Sequence, residues 1–181
     1  VLIERSSKRG MLGNIYKGRV QRVMPGMQAA FVDIGLERTA FLHANDIAQF
    51  NSSQIDSESS AIDGKPQPLI TSLVHEGQEI VVQVIKDPIG SKGARITTEI
   101  SIPSRYLVLL HDSNFVGVSS RIEDETERLR LKQLLQGHAD EFGCGYIVRT
   151  NAEGVDVSFI EQDVAYLNRA IAVFKQHKNT A

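Results

Sequence analysis

One cysteine, Cys144, occurs in 181 residues. That excludes an intrachain disulfide framework and a zinc site built from several cysteines of one chain. No apolar run approaches the roughly 18 residues that a membrane-spanning helix needs, and the N-terminus lacks a signal-peptide pattern. These absences fit a protein without a membrane span in a reducing cytoplasm. Histidine pairs at metal-ligand spacing, a Gly-rich phosphate loop and a nucleophile elbow are all missing. Net charge is small as well, −2 at neutral pH, which taken alone argues weakly against a nucleic-acid partner. What is present is ordinary for a globular chain, with 41% apolar and 23% charged residues, enough to bury a core in one large or two small domains. The chain starts at Val1 without Met and opens mid-pattern on Val-Leu-Ile, as an excised piece of something longer would.

The distribution of charge says more than its sum. Residues 1–22 hold Arg5, Lys8, Arg9, Lys17, Arg19 and Arg22 against a single acid, Glu4. Such a block is often only a solvated face, but here it runs into aromatics. The stretch from Gly13 to Gly35, closed by Thr39-Ala-Phe-Leu-His43, reads as three short strands. It is punctuated by Pro25-Gly26 and Gly35, and it carries Phe31 and Phe41. Alternation is imperfect around Ile15, Lys17, Arg19 and Val20, although the turn signals are clear. Rings that stack on bases and cations that hold phosphates are the two physical terms that bind single-stranded nucleic acid.

Residues 48–68 are polar and Ser-rich, with too few large apolar groups to order themselves, and read as an exposed, flexible insertion. Strands resume at 78–86 and 94–100, joined by a Gly-rich turn carrying Lys92. Five strands with these turns match a Greek-key OB barrel. A second unit begins near Pro103, with strands expected at 105–110, 117–122 and 145–150. A helix is expected from about Asp124 to Glu141, with Leu131, Leu134, Leu135 and Phe142 on or near one face and an acidic first turn of Asp124, Glu125 and Glu127. A last helix from about Phe159 to Lys175 carries the stripe Ile160, Val164, Leu167, Ile171 and Phe174, more a core face than a partner site. Ser158 and Glu161 have capping-box spacing at its start.

Gly13-Asn-Ile-Tyr-Lys-Gly-Arg-Val, Met27-Gln-Ala-Ala-Phe-Val-Asp-Ile-Gly35, Gly77-Gln-Glu, Lys92-Gly-Ala-Arg-Ile-Thr-Thr98, Pro103-Ser-Arg-Tyr-Leu-Val108 and Ile147-Val-Arg-Thr150 follow one another over nearly the whole chain. In this the chain closely resembles the N-terminal part of bacterial ribonuclease E/G endoribonucleases, nearest to the G branch. The resemblance implies an α+β fragment. Residues 13–101 would be an OB-fold RNA-binding domain, a five-stranded barrel of the S-one type, interrupted by the 48–68 insertion. Residues 102–158 would be a small α/β five-prime-sensor subdomain. Residues 1–12 and 159–181 would be partial RNase H-like segments.

By the same resemblance, Phe31 and Phe41 fall on stacking aromatics and Lys92 on a phosphate contact. Arg149 and Thr150 fall on the pocket pair for a 5′-monophosphate, and Val108 on a lining position. A terminal phosphate offers three acceptor oxygens and close to two charges, which suits a planar guanidinium with a hydroxyl beside it. Each residue also has a plainer reading. Either ring could be core, Lys92 a solvated hairpin cation, and Arg149 a surface arginine paired with Glu153. Ser104 stands where other family members have Gly beside the pocket, and Arg121 is an auxiliary cation or an ordinary surface residue.

Family catalysis resembles Mg²⁺-assisted phosphodiester hydrolysis by aspartates. The resemblance places those aspartates, and a Cys segment that shares Zn²⁺ between protomers of a homo-oligomer, beyond residue 181. No catalytic or metal-binding residue is therefore assigned here, no cofactor is expected in the fragment, and the fragment alone is expected not to cut RNA. Asp33 superficially looks catalytic, but no second carboxylate neighbours it at metal-ligand spacing, and a turn role fits better. The expected function is the RNA-binding and 5′-monophosphate-sensing part of a single-strand-specific endoribonuclease in RNA processing and decay. The alternative is a non-catalytic RNA-binding adaptor on the same barrel. A third reading, a self-contained metal nuclease using Asp33, is weaker.

Overall fold

The computed structural model describes residues 10–47 and 68–180. Most of the 1–12 segment and nearly all of the 48–68 insertion therefore lie outside the described residues. The chain divides into two compact units, Val1–Ile100 and Ser101–Ala181.

In the first unit β1 (Ile15–Met24), β2 (Ala29–Asp33) and β3 (Ala40–His43) precede a single helical turn, α1 (Ile70–Leu73), and then β4 (Glu79–Lys86) and β5 (Arg95–Thr97). The five strands close into a barrel in the order β1-β2-β3-β5-β4. Its interior is filled by Val20, Ala30, Val32, Ala40, Leu42, Val82, Val84 and Ile96. Successive strand residues face opposite ways, so Phe31, between buried Ala30 and Val32, turns outward, and Phe41, between Ala40 and Leu42, does the same. The faulty alternation along β1 has a structural cause. A bulge between Val20 and Arg22 inserts one residue against β2 and reverses which face the following side chains take.

Closure depends on the parallel pairing of β3 with β5, Phe41 opposite Arg95 and Leu42 opposite Ile96. Gly93 permits that approach. A Cβ on Gly93 would lie 1.9 Å from the Thr39 carbonyl oxygen, so no larger residue fits there.

The second unit contains β6 (Ser101–Pro103), β7 (Leu107–His111), β8 (Val116–Val118), α2 (Glu125–Phe142), β9 (Cys144–Val148) and α3 (Val157–Thr180). The strands form one sheet in the order β6-β7-β9-β8. Leu107, Leu109, Tyr146 and Val148 form its buried face, packed with Leu131 and Leu135 of α2 and with Ile160, Val164, Leu167 and Ile171 of α3. The apolar stripe expected on the last helix is thus core, with Phe174 partly buried against it.

Several expectations are corrected. The strand expected at 117–122 is only Val116–Val118, because Ser119–Ile122 forms a turn closed by Ile122 N–H to the Ser119 carbonyl, 3.1 Å. Strands expected at 105–110, 145–150 and 94–100 are Leu107–His111, Cys144–Val148 and Arg95–Thr97. The capping box of Ser158 and Glu161 does not form. Asp156 takes that place, its Oδ1 accepting from the Ser158 N–H at 2.9 Å and the Ser158 hydroxyl at 2.6 Å, and the helix begins at Val157. Phe142 is exposed rather than core, stacked on His138 at a centroid distance of 6.4 Å, since the chain leaves α2 at Gly143 in a left-handed cap, φ 61°.

Candidate nucleic-acid interface

Strand register sets the outward face of the barrel. Arg22 on β1 is opposite Phe31 on β2, Phe31 is opposite Phe41 on β3, and Phe41 is opposite Arg95 on β5. Directly paired residues share a face, so four strands present cation, ring, ring, cation in one row. The rings meet edge to face, centroids 6.0 Å apart and planes at 67°. Each is half-buried, its edge supported by the barrel and part of its surface open. Neither is a core aromatic.

His43, two residues past Phe41 on the same face, lies 6.4 Å from it. Its Nδ1 accepts the Asn45 N–H at 3.2 Å, so neutral His43 carries its proton on Nε2, as a donor. Arg95 is held flat by a two-pronged bond to Asp46, Nε to Oδ2 at 2.8 Å and Nη2 to Oδ1 at 3.1 Å. Asp46 hydrogen bonding and charge raise the Arg95 pKa above its ordinary value. Lys17 and Arg19 both pair with Glu79 of β4, at 3.3 and 3.2 Å, and those bonds, Lys17 first, lower the Glu79 pKa.

Lys92 is exposed on the turn before β5, its backbone bridged to Ile89. The turn is fixed at two points, the Gly93–Thr39 approach and a hydrogen bond from Arg38 to the Gly90 carbonyl. Lys92 precedes Arg95 by three residues on that turn, so it reaches solvent at the end of the barrel where β3 begins. Asp33 serves a turn. Its carboxylate accepts from Gly35 N–H at 2.9 Å and from Gln21 at 3.2 Å. No group of three or more His, Cys, Asp or Glu able to hold a metal ion occurs among the described residues, and the donors around Asp33 do not fit Mg²⁺.

In the second unit the sheet face away from the core carries the other predicted residues. Val108 is opposite Ile147 across β7 and β9, both half-buried. Arg149 follows β9 by one residue, its N–H bonded to the Tyr106 carbonyl at 2.8 Å, and so returns to the Val108 side. Its exposed guanidinium donates from Nη1 to the Ser104 carbonyl at 2.5 Å. Thr150 starts a single 3₁₀ turn with its hydroxyl 3.4 Å from that of Ser119. Val108 and Arg149 therefore share one face with Thr150 at its edge, and Ser104 and Ser119 join them from neighbouring turns. Arg121 is exposed on the Ser119 turn.

Sequence reasoning missed Arg22 and Arg95 as ring neighbours, since only the register brings them alongside. It also missed Asp163 of α3, which binds the Ser104–Leu107 turn. No local signal marks a contact nearly sixty positions apart in the chain. Among the described residues no helix is long and apolar enough to cross a membrane.

Comparison with known proteins follows this division. A sequence profile of the Ribonuclease E/G family matches residues 101–181, and one of the S1 RNA binding domain matches residues 10–87. Ribonuclease G of Haemophilus influenzae is 54% identical over 169 residues, covering 93% of this chain and 34% of that protein. Ribonuclease G of Escherichia coli is 53% identical over 167 residues, covering 92% and 33%. Ribonuclease E of a Nostoc species is 37% identical over 166 residues, covering 91% and 22%. The chain thus spans about a third of the length of the Ribonuclease G relatives it matches. The crystal structure of the a/eIF2alpha–aDim2p–rRNA complex from Pyrococcus horikoshii is similar at a TM-score of 0.35 and 16% identity over 75% of this chain and 65% of that one, too loosely to carry an argument.

Proposed function

We propose that the chain, whose residues 101–181 match the Ribonuclease E/G family, is the RNA-binding and 5′-monophosphate-sensing N-terminal part of a single-strand-specific endoribonuclease of RNA processing and decay. The observation that carries this reading is the row Arg22–Phe31–Phe41–Arg95 on the outer wall of the barrel. Two half-buried rings that meet edge to face still leave open ring surface on which bases can lie, and stacking of this kind tolerates any sequence because every base has a π-face. Lys92, at the end of the strands, takes a phosphate as a point charge.

Arg149 supplies the second contact. Its Nη1 is anchored to the Ser104 carbonyl, which leaves the remaining guanidinium donors for the oxygens of a terminal phosphate. The Thr150 hydroxyl is a neighbouring donor, and Val108 offers an apolar wall to the first nucleotide. Cleavage itself, Mg²⁺-assisted hydrolysis of the phosphodiester, belongs to the remainder of the full-length protein, as does Zn²⁺ shared between protomers of a homo-oligomer. The 181-residue chain alone binds RNA without cutting it, in the cytoplasm, where its lone buried Cys144 stays a thiol.

Fluorescence anisotropy with two short unstructured RNAs, alike except for a 5′-phosphate or 5′-hydroxyl, tests both contacts. The expected result is measurable binding of both, tighter for the phosphate. Absence of binding to either would remove the barrel reading, and equal affinities would remove the sensor reading.

A further inference from the structure

The turn that anchors Arg149 is itself held by a carboxylate from another element. Oδ2 of Asp163, on α3, accepts the backbone N–H of Tyr106 at 2.9 Å and of Leu107 at 3.2 Å, and it also receives the Ser104 hydroxyl. Ser104 N–H in turn bonds to the Leu107 carbonyl at 2.8 Å, closing the turn on itself. On its other side the Ser104 carbonyl accepts Arg149 Nη1 at 2.5 Å, while the Arg149 N–H bonds to the Tyr106 carbonyl at 2.8 Å. One peptide turn thus lies between a carboxylate that fixes it and a guanidinium that it fixes.

We propose that Asp163 is a positioning residue for terminal-phosphate recognition. It sets the Ser104 peptide, and the Ser104 carbonyl sets the plane of the Arg149 guanidinium. The proposal rests on the reading of Arg149 as the terminal-phosphate ligand. Its physical basis is pre-organisation. Arginine binds two phosphate oxygens side by side only when its fork faces them, and an exposed guanidinium on a flexible stem must otherwise be ordered at the moment of binding. Immobilising one such side chain beforehand is worth about two- to tenfold in affinity. Oδ2 collects three donors, two of them successive backbone amides, so its loss frees the whole turn rather than one bond. A plain helix-to-sheet staple would use the same atoms. The two roles differ in what they change, because a staple affects stability and a positioning group affects the phosphate preference.

The test compares the intact chain with Asp163→Ala, Asp163→Asn and Ser104→Ala, using the 5′-phosphate and 5′-hydroxyl RNAs above, with ¹⁵N relaxation of the Arg149 Nε–H as a readout independent of RNA. Asp163→Ala is expected to lower affinity for 5′-phosphate RNA about two- to tenfold with 5′-hydroxyl affinity unchanged, and to make the Arg149 side chain more mobile. Asp163→Asn, whose amide oxygen can accept the same donors, is expected to restore both. Ser104→Ala keeps the anchoring carbonyl and should fall between. A wild type that prefers 5′-phosphate RNA, together with an Asp163→Ala variant that keeps both the preference and the Arg149 order, overturns the proposal and leaves the sensor reading standing. A wild type with no preference removes the sensor reading and the proposal with it. If Asp163→Ala does not fold, Ser104→Ala decides. Loss of Arg149 order in Ser104→Ala supports the relay, and unchanged order in it overturns the relay.

Discussion

Phe41→Ala removes the central member of the row on the barrel, and its consequences can be worked in advance. The ring stands 6.0 Å from Phe31 and 6.4 Å from His43 and lies opposite Arg95, so its loss deletes one platform and strips the edge support of another. A base stacked on an aromatic contributes about 1–3 kcal/mol, which corresponds to roughly 5- to 150-fold in dissociation constant. The Phe31–Phe41 edge contact adds about 0.5–1.5 kcal/mol to the fold, so a modest fall in melting temperature should accompany the change. No charge is removed, so the slope of log affinity against log salt should stay as in the wild type. Anisotropy with a 5′-hydroxyl RNA across a salt series measures affinity and slope together and keeps any terminal phosphate out of the comparison. The double variant Phe31→Ala, Phe41→Ala should cost less than the sum of the singles, because the rings touch. An affinity change below twofold would refute the reasoning, as would a slope reduced by about 0.7, the mark of a lost single-strand phosphate contact.

Lys92→Ala should show the opposite pattern, a salt slope smaller by about 0.7 and a weakening that is uniform across RNA sequences, checked in the same titrations. Arg149→Ala should abolish any preference for 5′-phosphate RNA while 5′-hydroxyl affinity stays, and Arg149→Lys should recover little of it, because a lysine lacks the planar fork. Glu127 is held at a pKa of about 2 by its bond to Arg130 and then by the Gly154 N–H, so its folded value lies below its unfolded one. The resulting stability is present above about pH 4.5 and is lost as pH falls toward 2. With Arg130 partly open to solvent, Glu127→Gln should cost about 1–2 kcal/mol at pH 7 in urea unfolding, and the gap to wild type should close near pH 2. Gly93→Ala would place a Cβ 1.9 Å from the Thr39 carbonyl oxygen and should destabilise the barrel by about 1–3 kcal/mol, which an unchanged urea midpoint would contradict.

What could be read along the chain was whatever is local or periodic. The buried stripe of α3 declares itself by its spacing, whereas Phe31 and Phe41 could each have been core until the strands turned them outward. Local competition was harder to resolve. Ser158 and Asp156 both offer cap oxygens, and the aspartate takes the position because its carboxylate reaches both the Ser158 amide and hydroxyl. Glu127 read as a complement to the helix dipole, yet it also binds Gly154, a partner 27 positions away. The β1 bulge, the Arg22–Phe31 and Phe41–Arg95 neighbours and the Asp163 clasp depend on register and packing between distant segments, for which a single sequence carries no pattern.

The pairing of Lys17 and Arg19 with Glu79, and of Arg95 with Asp46, means that three of the barrel's cations are already tied to two carboxylates within the protein, which leaves one net positive charge among them. The wall then holds a strand less as a magnet holds iron than as shelves hold books. A polymer resting mainly on flat surfaces can shift by one unit and find an equivalent seat, with few ionic contacts to break in doing so. On the proposed reading as an RNA-binding face, such a wall lets the bound strand slip by a nucleotide at little ionic cost.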